Sequence, residues 1–372
     1  MLTDHIAIAK ASLRRSHQEI QTKQHAMKIK LSALLALLFS ALLLGGCARN
    51  AEPQRYSQVF LDVFDTVTTI VIYDTDEQHA NATIEAIHQE LLTYHQLYDI
   101  YHTYDGINNI ATVNENAGIA PVKVDAKILD MIDYALSMDE LTGGKMNIAM
   151  GSVLRIWQDY RDAGLENPDT AQLPPMSDLV AANAHATFDN VIIDRTAGTI
   201  YITDPETQLD VGAIGKGYAG QQIIASLRAE GVTNLLLSIG GNICAIGTRA
   251  DGNGWKVGIQ DPYSDGNLCV VAVDGLNVVT SGTYERYYTV DGKQYHHIID
   301  PSTLMPSVLY DSITVISSDS GLADALTTGL FSMPIEEGMA LIERLPDTEA
   351  FWVQPDGTQR MSSGFSAFIV EE

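Results

Sequence analysis

Leu209-Asp210-Val211-Gly212-Ala213-Ile214-Gly215-Lys216-Gly217-Tyr218-Ala219-Gly220 sits between a strand-like run, Thr199 to Thr203, and a helical run, Tyr218 to Glu230. Its glycines at 212, 215, 217 and 220 let backbone N–H groups crowd toward an anion. Lys216 adds a positive charge, and the following helix points its positive end the same way. The stretch reads as a phosphate-binding loop. Gly215, Gly217 and Gly220 also spell G-x-G-x-x-G, which raises a dinucleotide-fold reading. That reading needs a carboxylate at the end of the next strand to hold a ribose hydroxyl. The next strand, Asn234 to Ile239, ends Ser238-Ile239-Gly240-Gly241-Asn242 and supplies none. A nicotinamide dehydrogenase is therefore set aside.

Downstream of the loop helix, strands predominate: Trp255 to Gln260, Cys269 to Val273, Val278 to Ser281, and a hairpin from Arg286 to Ile299 turned at Asp291-Gly292. Ser312 to Ser317 is a further strand. Ser318-Asp319-Ser320 offers caps for a helix from Leu322 to about Ser332, Glu336 to Arg344 is another helix, and Phe351 to Val353 with Ala367 to Val370 closes on strands. Upstream, Val59 to Asp74 is rich in β-branched residues and reads as a strand or hairpin around Phe64-Asp65-Thr66. Asn81 to Tyr98 carries a helical stripe through Ile84, Ile87, Leu91, Tyr94 and Tyr98. Ile107 to Gly118 reads as loop. Ala126 to Leu141 reads as a helix capped by Asp125 and stopped by Gly143-Gly144. Lys145 to Trp157 leads into a polar surface segment, Arg161 to Pro175. Helices and strands mix without regular alternation, so the fold class is α+β: a single domain, residues 59–372, of mixed sheets with packed helices.

The chain has 372 residues, 46% of them hydrophobic, enough for a large core, and a formal net charge of −25. Without a lysine or arginine run to reverse that charge locally, it excludes a nucleic-acid surface. Met27-Lys28-Ile29-Lys30, the apolar run Leu31 to Leu44, and Gly45-Gly46-Cys47 describe a secretory signal too short to span as a mature helix. Leu44-Gly45-Gly46-Cys47 resembles a bacterial lipobox. Residues 1–46 then form the signal, with Met27 the better start, Cys47 is the lipidation site, and residues 47–58 form a polar tether. Removing residues 1–46 takes away six of the 22 basic and two of the 47 acidic residues, leaving a net charge of −29. Attraction to an anionic bilayer is then implausible, so membrane attachment depends on the lipid. Cys244 and Cys269 both lie in apolar runs; one disulfide and a pair of buried thiols are both open. No Cys/His spacing indicates zinc.

Two further constellations carry chemistry. Asp324 and Thr328 stand one turn apart on a helix, presenting hard oxygens of the kind Mg²⁺ takes while keeping positions for phosphates. Alone, they fit an ordinary first-turn acid and a core-edge threonine better. His296 and His297 end an apolar strand and point to opposite faces, so one of them at most faces a given site. A general base and a satisfied surface histidine stay equally open there.

Taken together, Asp210-x-Gly212-x-Ile214-x-Lys216-Gly217-Tyr218-Ala219, Ser238-x-Gly240-Gly241-Asn242, Thr280-Ser281-Gly282-Thr283-Tyr284-Glu285-Arg286, His297-Ile298-Ile299-Asp300-Pro301 and Ala323-Asp324-Ala325-Leu326-Thr327-Thr328-Gly329-Leu330 resemble, in order and spacing, the ApbE family of FAD:protein FMN transferases. The resemblance runs from about Phe60 to Ala367. It implies a T-fold-related architecture and a Mg²⁺-dependent enzyme that cleaves FAD, attaches FMN to a threonine of a partner flavoprotein and releases AMP. Carried over by motif, Asp324, Thr328 and the carbonyl of Ala213 match the metal ligands and His297 the base. Phe64, Tyr101, Lys145, Met146, Asn147, Asp210, Lys216 and Ile299 match the FAD contacts. Many members carry an aromatic and an aspartate where this chain has Met146 and Asn147, and Met-Gly-Thr in place of Phe64-Asp65-Thr66. The family's acceptor motif, close to Asp-x-Ser/Thr-Gly-Ala-Ser/Thr, is absent from this chain, so the FMN is expected on a partner. An exported, lipid-tethered enzyme suits subunits of membrane redox complexes on the outer side of the cytoplasmic membrane. A flavin pyrophosphatase and a lipid-anchored flavin-binding protein are the alternative readings.

Overall fold

The segment around Phe64 folds as a hairpin. β1 (Gln54–Val63) and β2 (Thr66–Asp74) pair antiparallel, joined through Phe64 and Asp65 at φ 55° and 50°. Two consecutive positive φ values are the signature of a type I′ turn, which usually takes Asn-Gly; a bulky residue there stores strain. The computed structural model describes residues 52–371, so the signal and Cys47 lie outside the described residues. β1 starts inside the stretch expected as tether. Its polar, exposed residues give no hydrophobic signal, and it is defined by its pairing, Gln54 opposite Asp74 through Phe60 opposite Thr68.

In chain order follow α1 (Glu77–Tyr98), capped by Asp76, and α2 (Ile110–Glu115), a six-residue helix where loop was expected. Asn109 and Thr112 close a capping box there, a signal the short apolar run hid. β3 (Val122–Lys123) precedes α3 (Ala126–Leu141), which starts on the Asp125 cap and stops before Gly143 and Gly144, both left-handed. α4 (Gly151–Glu166) runs into the expected polar segment as far as Glu166, and α5 (Met176–Asn183) begins just past its end. In α4 the apolar residues Val153, Leu154, Trp157 and Tyr160 recur at helical spacing and pack on one side, whereas α5 buries only Leu179. β4 (Val191–Asp194) and β5 (Thr199–Ile202) complete a small sheet of order β3-β5-β4.

The glycine stretch leads into α6 (Gly215–Ala229), then β6 (Leu235–Ile239), β7 (Asn242–Ile246), β8 (Trp255–Gln260), β9 (Asn267–Val273) and β10 (Asn277–Gly282). The hairpin of β11 (Tyr287–Val290) and β12 (Lys293–His296) turns at Asp291-Gly292 as expected, at φ 50° and 79°. β13 (Ser312–Ser317) enters α7 (Ser320–Leu330), whose N-cap is Asp319. α8 (Ile335–Ile342), β14 (Thr348–Val353), β15 (Gln359–Met361) and β16 (Ile369–Val370) follow; the first half of the strand expected at 367–370 belongs to a 3-10 turn, Phe365–Phe368, and the second half is β16.

Eight strands form one antiparallel sheet of order β1-β2-β6-β7-β10-β13-β14-β15. Side chains alternate across it. Ile70, Ile72, Leu235 and Leu237 face a core shared with α1, α3 and α6, and Ile313 and Val315 face α7 and α8. Val71, Val278, Ile316 and Phe351 point to the other face, onto Trp255 and Val271 of the sheet β16-β9-β8 and onto Phe365 of the 3-10 turn before β16. A central sheet covered by helices on one side and a smaller sheet on the other confirms the α+β class. Covered on both sides, β13 is buried at all six positions.

Candidate active site

α6 has no side-chain cap of its own: its N-cap residue, Ile214, offers no oxygen. The third N–H of the helix, on Gly217, instead donates to Asp324 Oδ2 at 2.7 Å, a carboxylate from α7. A Cβ on Gly217 would lie 2.4 Å from the Asp324 Cβ and from the Ser320 carbonyl oxygen, so only glycine lets the two helices approach this closely. This corrects the reading of Gly217 as part of a phosphate cradle: its N–H is committed to Asp324. The positive end of α6 thus faces a carboxylate from a neighbouring helix. Gly217→Ala is expected to destabilise the domain by about 1–3 kcal/mol and to displace Asp324. Thermal unfolding with and without added Mg²⁺ checks both; unchanged behaviour in each would contradict this packing account.

Asp324 and Thr328 open on a cleft of about 440 Å³. Burial pushes the Asp324 carboxyl above its usual range, against the pull of Lys216, the Gly217 N–H and the Asn242 amide. Asp324 is 4% exposed and makes no ion pair among the described residues. A buried carboxylate with incomplete compensation, a hydroxyl one turn later, and Ala213 on the same cleft wall form an all-oxygen set that fits a hard divalent cation keeping other positions for ligands. Among the described residues no group of three His, Cys, Asp or Glu side chains gathers to hold a metal.

The same cleft collects Tyr101, Lys145, Asn147, Asp210, Lys216, His297 and Ile299. The loop before α6 is laid against the segment after α3 by Asp210 N–H to the Ile148 carbonyl, 2.7 Å, and Gly151 N–H to the Gln208 carbonyl, 3.0 Å. Asp210 accepts from Gly212 N–H at 2.8 Å, and burial raises its carboxyl while that bond, Arg286 and Lys216 oppose. Lys145 Nζ reaches Ser302 Oγ at 2.7 Å and Asp300 at 3.4 Å, tying the Asp300-Pro301 turn to the cleft wall. Asn147 spends its amide on the fold, donating to the Ala186 carbonyl and accepting from Ala149 N–H.

Two expected contacts stay away from the cleft lining. Met146, 1% exposed, packs in the core beside Gly329, because the turn after α3 sends alternate residues inward. Phe64 leans edge-on against His95 and donates its N–H to His95 Nδ1; its neighbours Asp65 and Thr66 line the cleft in its place.

The two histidines divide as their strand parity demands. His296 is buried, with Nε2 on the Ser307 carbonyl at 2.7 Å and Nδ1 accepting from Ile298 N–H. Both its nitrogens serve the fold. His297 places Nδ1 3.2 Å from the Arg286 carbonyl; with Nδ1–H donating there, Nε2 is left as an acceptor. Burial, then the Arg286 charge and His296, hold the His297 pKa down to about 3. The imidazole is neutral at physiological pH.

Sequence patterns missed α4's share of the cleft. Trp157 donates Nε1–H to the Leu304 carbonyl at 2.8 Å and stacks near Tyr295, while Arg161 and Arg286 add cationic side chains to the lining. Arg286 stood in a quoted motif, without a role.

The model of the ApbE family matches residues 64–352. The chain is 32% identical over 337 residues to the FAD:protein FMN transferase of Treponema pallidum, covering 86% of this chain and 90% of that protein. It is 27% identical over 352 residues to the one from Escherichia coli K12, covering 91% and 97%. A crystal structure of the ApbE protein from Thermotoga maritima matches with a TM-score of 0.74 at 27% identity, over 86% of this chain and 100% of that one. A flavin transferase ApbE from Vibrio cholerae shares the fold, with a TM-score of 0.69 at 22% identity over 85% and 99%. Sequence, fold and the gathering of the motif residues into one cleft agree: the chain belongs to the ApbE family.

Proposed function

We propose that this chain is a flavin transferase that uses Mg²⁺ and FAD to attach FMN to a threonine or serine of a partner flavoprotein, releasing AMP. The observation that supports it most is that residues as distant in sequence as Tyr101, Asp210, His297 and Asp324 line one cleft. A bound divalent cation, held by Asp324, Thr328 and Ala213, supplies Lewis-acid neutralisation of phosphate oxygens. Lys216 and Arg286 add positive charge to a chain that is otherwise strongly acidic. The acceptor hydroxyl oxygen bonds to the FMN phosphorus as the bond from that phosphorus to the AMP oxygen breaks, and the hydroxyl proton passes to His297 Nε2. Phosphoryl transfer asks the protein mainly for positioning and charge, which this set provides.

The lipid anchor at Cys47, the outer face of the cytoplasmic membrane and acceptor subunits of membrane redox complexes belong to the same proposal; their support is the sequence pattern of residues 27–47. The chain from Pro53 onward forms one compact unit, so it can be assayed without its N-terminal segment. Incubated with FAD, Mg²⁺ and an acceptor domain, it is expected to give a fluorescent flavin adduct in a denaturing gel and the matching mass shift. AMP without adduct would make it a hydrolase, and unchanged FAD would make it a binding protein.

A further inference from the structure

Between β6 and β7 the chain turns through Gly240 and Gly241, both left-handed at φ 50° and 92°. A Cβ on Gly240 would meet Thr66 Oγ1 at 2.2 Å, so this turn is seated directly against the strained turn of the β1–β2 hairpin. The next residue, Asn242, opens β7, paired with Ile239 on one side and Val279 on the other. Its position in the sheet is thereby fixed. Asn242 is 2% exposed, yet it lines the cleft beside Asp324. Its Nδ2 is buried and no acceptor among the described residues meets it in good hydrogen-bond geometry, although the amide lies near enough to Asp324 to pull that carboxyl's pKa down. Buried amide donors are rarely left unpaired. Asn109, Asn114, Asn147 and Asn277 each donate Nδ2 to a backbone carbonyl. Within the fold the Asn242 amide acts on the Asp324 carboxyl, and both residues line the cleft that the proposed reading gives to FAD.

We propose that Asn242 is a substrate-contacting residue whose Nδ2 donates to a phosphoryl oxygen of bound FAD, next to the Asp324 carboxylate. The inference rests on the proposed flavin-transferase reading and adds a residue to which the sequence motifs gave no role. An amide suits this place because it donates without charge. A lysine would pair with Asp324 and displace a cation, whereas an aspartate would repel the phosphate.

The test measures FAD and riboflavin affinity by flavin fluorescence for the wild-type domain, Asn242→Ala, Asn242→Ser and Asn242→Asp, with Mg²⁺ affinity measured calorimetrically without flavin. Losing one hydrogen bond to a charged oxygen predicts FAD binding about 10- to 100-fold weaker in Asn242→Ala. Riboflavin, which lacks phosphate, should bind as in wild type. Asn242→Ser, which keeps a donor, should fall between. Asn242→Asp should weaken FAD at least as much while tightening Mg²⁺, since it sets a second carboxylate beside Asp324. Unchanged FAD affinity in Asn242→Ala, or equal losses for FAD and riboflavin, would overturn the proposal, the second result marking a structural role. If the wild-type domain binds no FAD, the transferase reading itself falls, and this inference with it.

Discussion

Asp324→Asn is expected to lower FMN transfer by roughly 10³-fold or more, because several kcal/mol of transition-state charge stabilisation depend on a cation that an amide holds poorly. The substitution changes charge with almost no change in shape. Asn Oδ1 can still accept the Gly217 N–H that caps α6, so the junction of α6 and α7 is retained. The variant should therefore fold. Burial already disfavours the ionised carboxyl at this position, and replacing it by a neutral amide removes that cost. Two measurements separate the metal role from a packing role. Added Mg²⁺ should raise the thermal midpoint of the wild-type domain by mass action and leave that of Asp324→Asn nearly unmoved. Transfer to an acceptor domain should be lost in the variant at every Mg²⁺ concentration tried. A variant that keeps the wild-type Mg²⁺ response would remove Asp324 from the cation site and require another carboxylate on the cleft.

What could be read in advance was whatever a local signal encodes. The Asp125 and Asp319 caps, the Asp291-Gly292 turn and the β-branched runs placed α3, α7, the β11–β12 hairpin and most of the large sheet within a few residues. α2 and α4 were missed for different reasons: α2 is too short to show a period, and α4 carries a helical apolar spacing, Val153, Leu154, Trp157 and Tyr160, that was passed over for the charged residues interleaved with it. The cleft itself is non-local. The spacing of Asp324 and Thr328 favoured an ordinary helix, and only the set of motifs together pointed to a shared site. The glycine loop shows the limit of motif reading most clearly. Its composition was right for anion binding, but the anion its helix end receives within the fold is Asp324, a residue 107 positions away. Asn242 and Arg286 stood inside motifs quoted from the sequence, yet unsatisfied burial and the lining of a cleft are properties of the folded chain.

Replacing His297 by alanine should reduce kcat/KM for transfer by about 10²- to 10⁴-fold while FAD binding changes little, the pattern expected when a proton acceptor is lost and the substrate's grip is kept. The pH profile gives a sharper result. Burial chiefly, then Arg286 and His296, hold the imidazole down to about 3 from its ordinary 6.5. Its neutral form, with Nε2 free, thus persists to acid pH in the free enzyme, and the acid limb of kcat/KM for FAD should lie below about pH 5. The same shift bears on stability with a definite sign. A depressed folded-state value means the unfolded chain binds more protons between about 3 and 6.5, so the stabilisation present above 6.5 is lost as pH falls through that window. Arg286→Gln removes one of the charges that oppose protonation while leaving the backbone carbonyl that orients Nδ1. The acid limb should then move to higher pH, by part of the shift only, because burial is the larger cause. A limb already near 6.5 in the wild-type enzyme, and unmoved in Arg286→Gln, would show that the group controlling transfer is not a buried His297. A basic pair built this way, one residue's carbonyl fixing the tautomer and its guanidinium suppressing the proton, would keep the acceptor nitrogen ready until an anionic substrate arrives to offset the arginine.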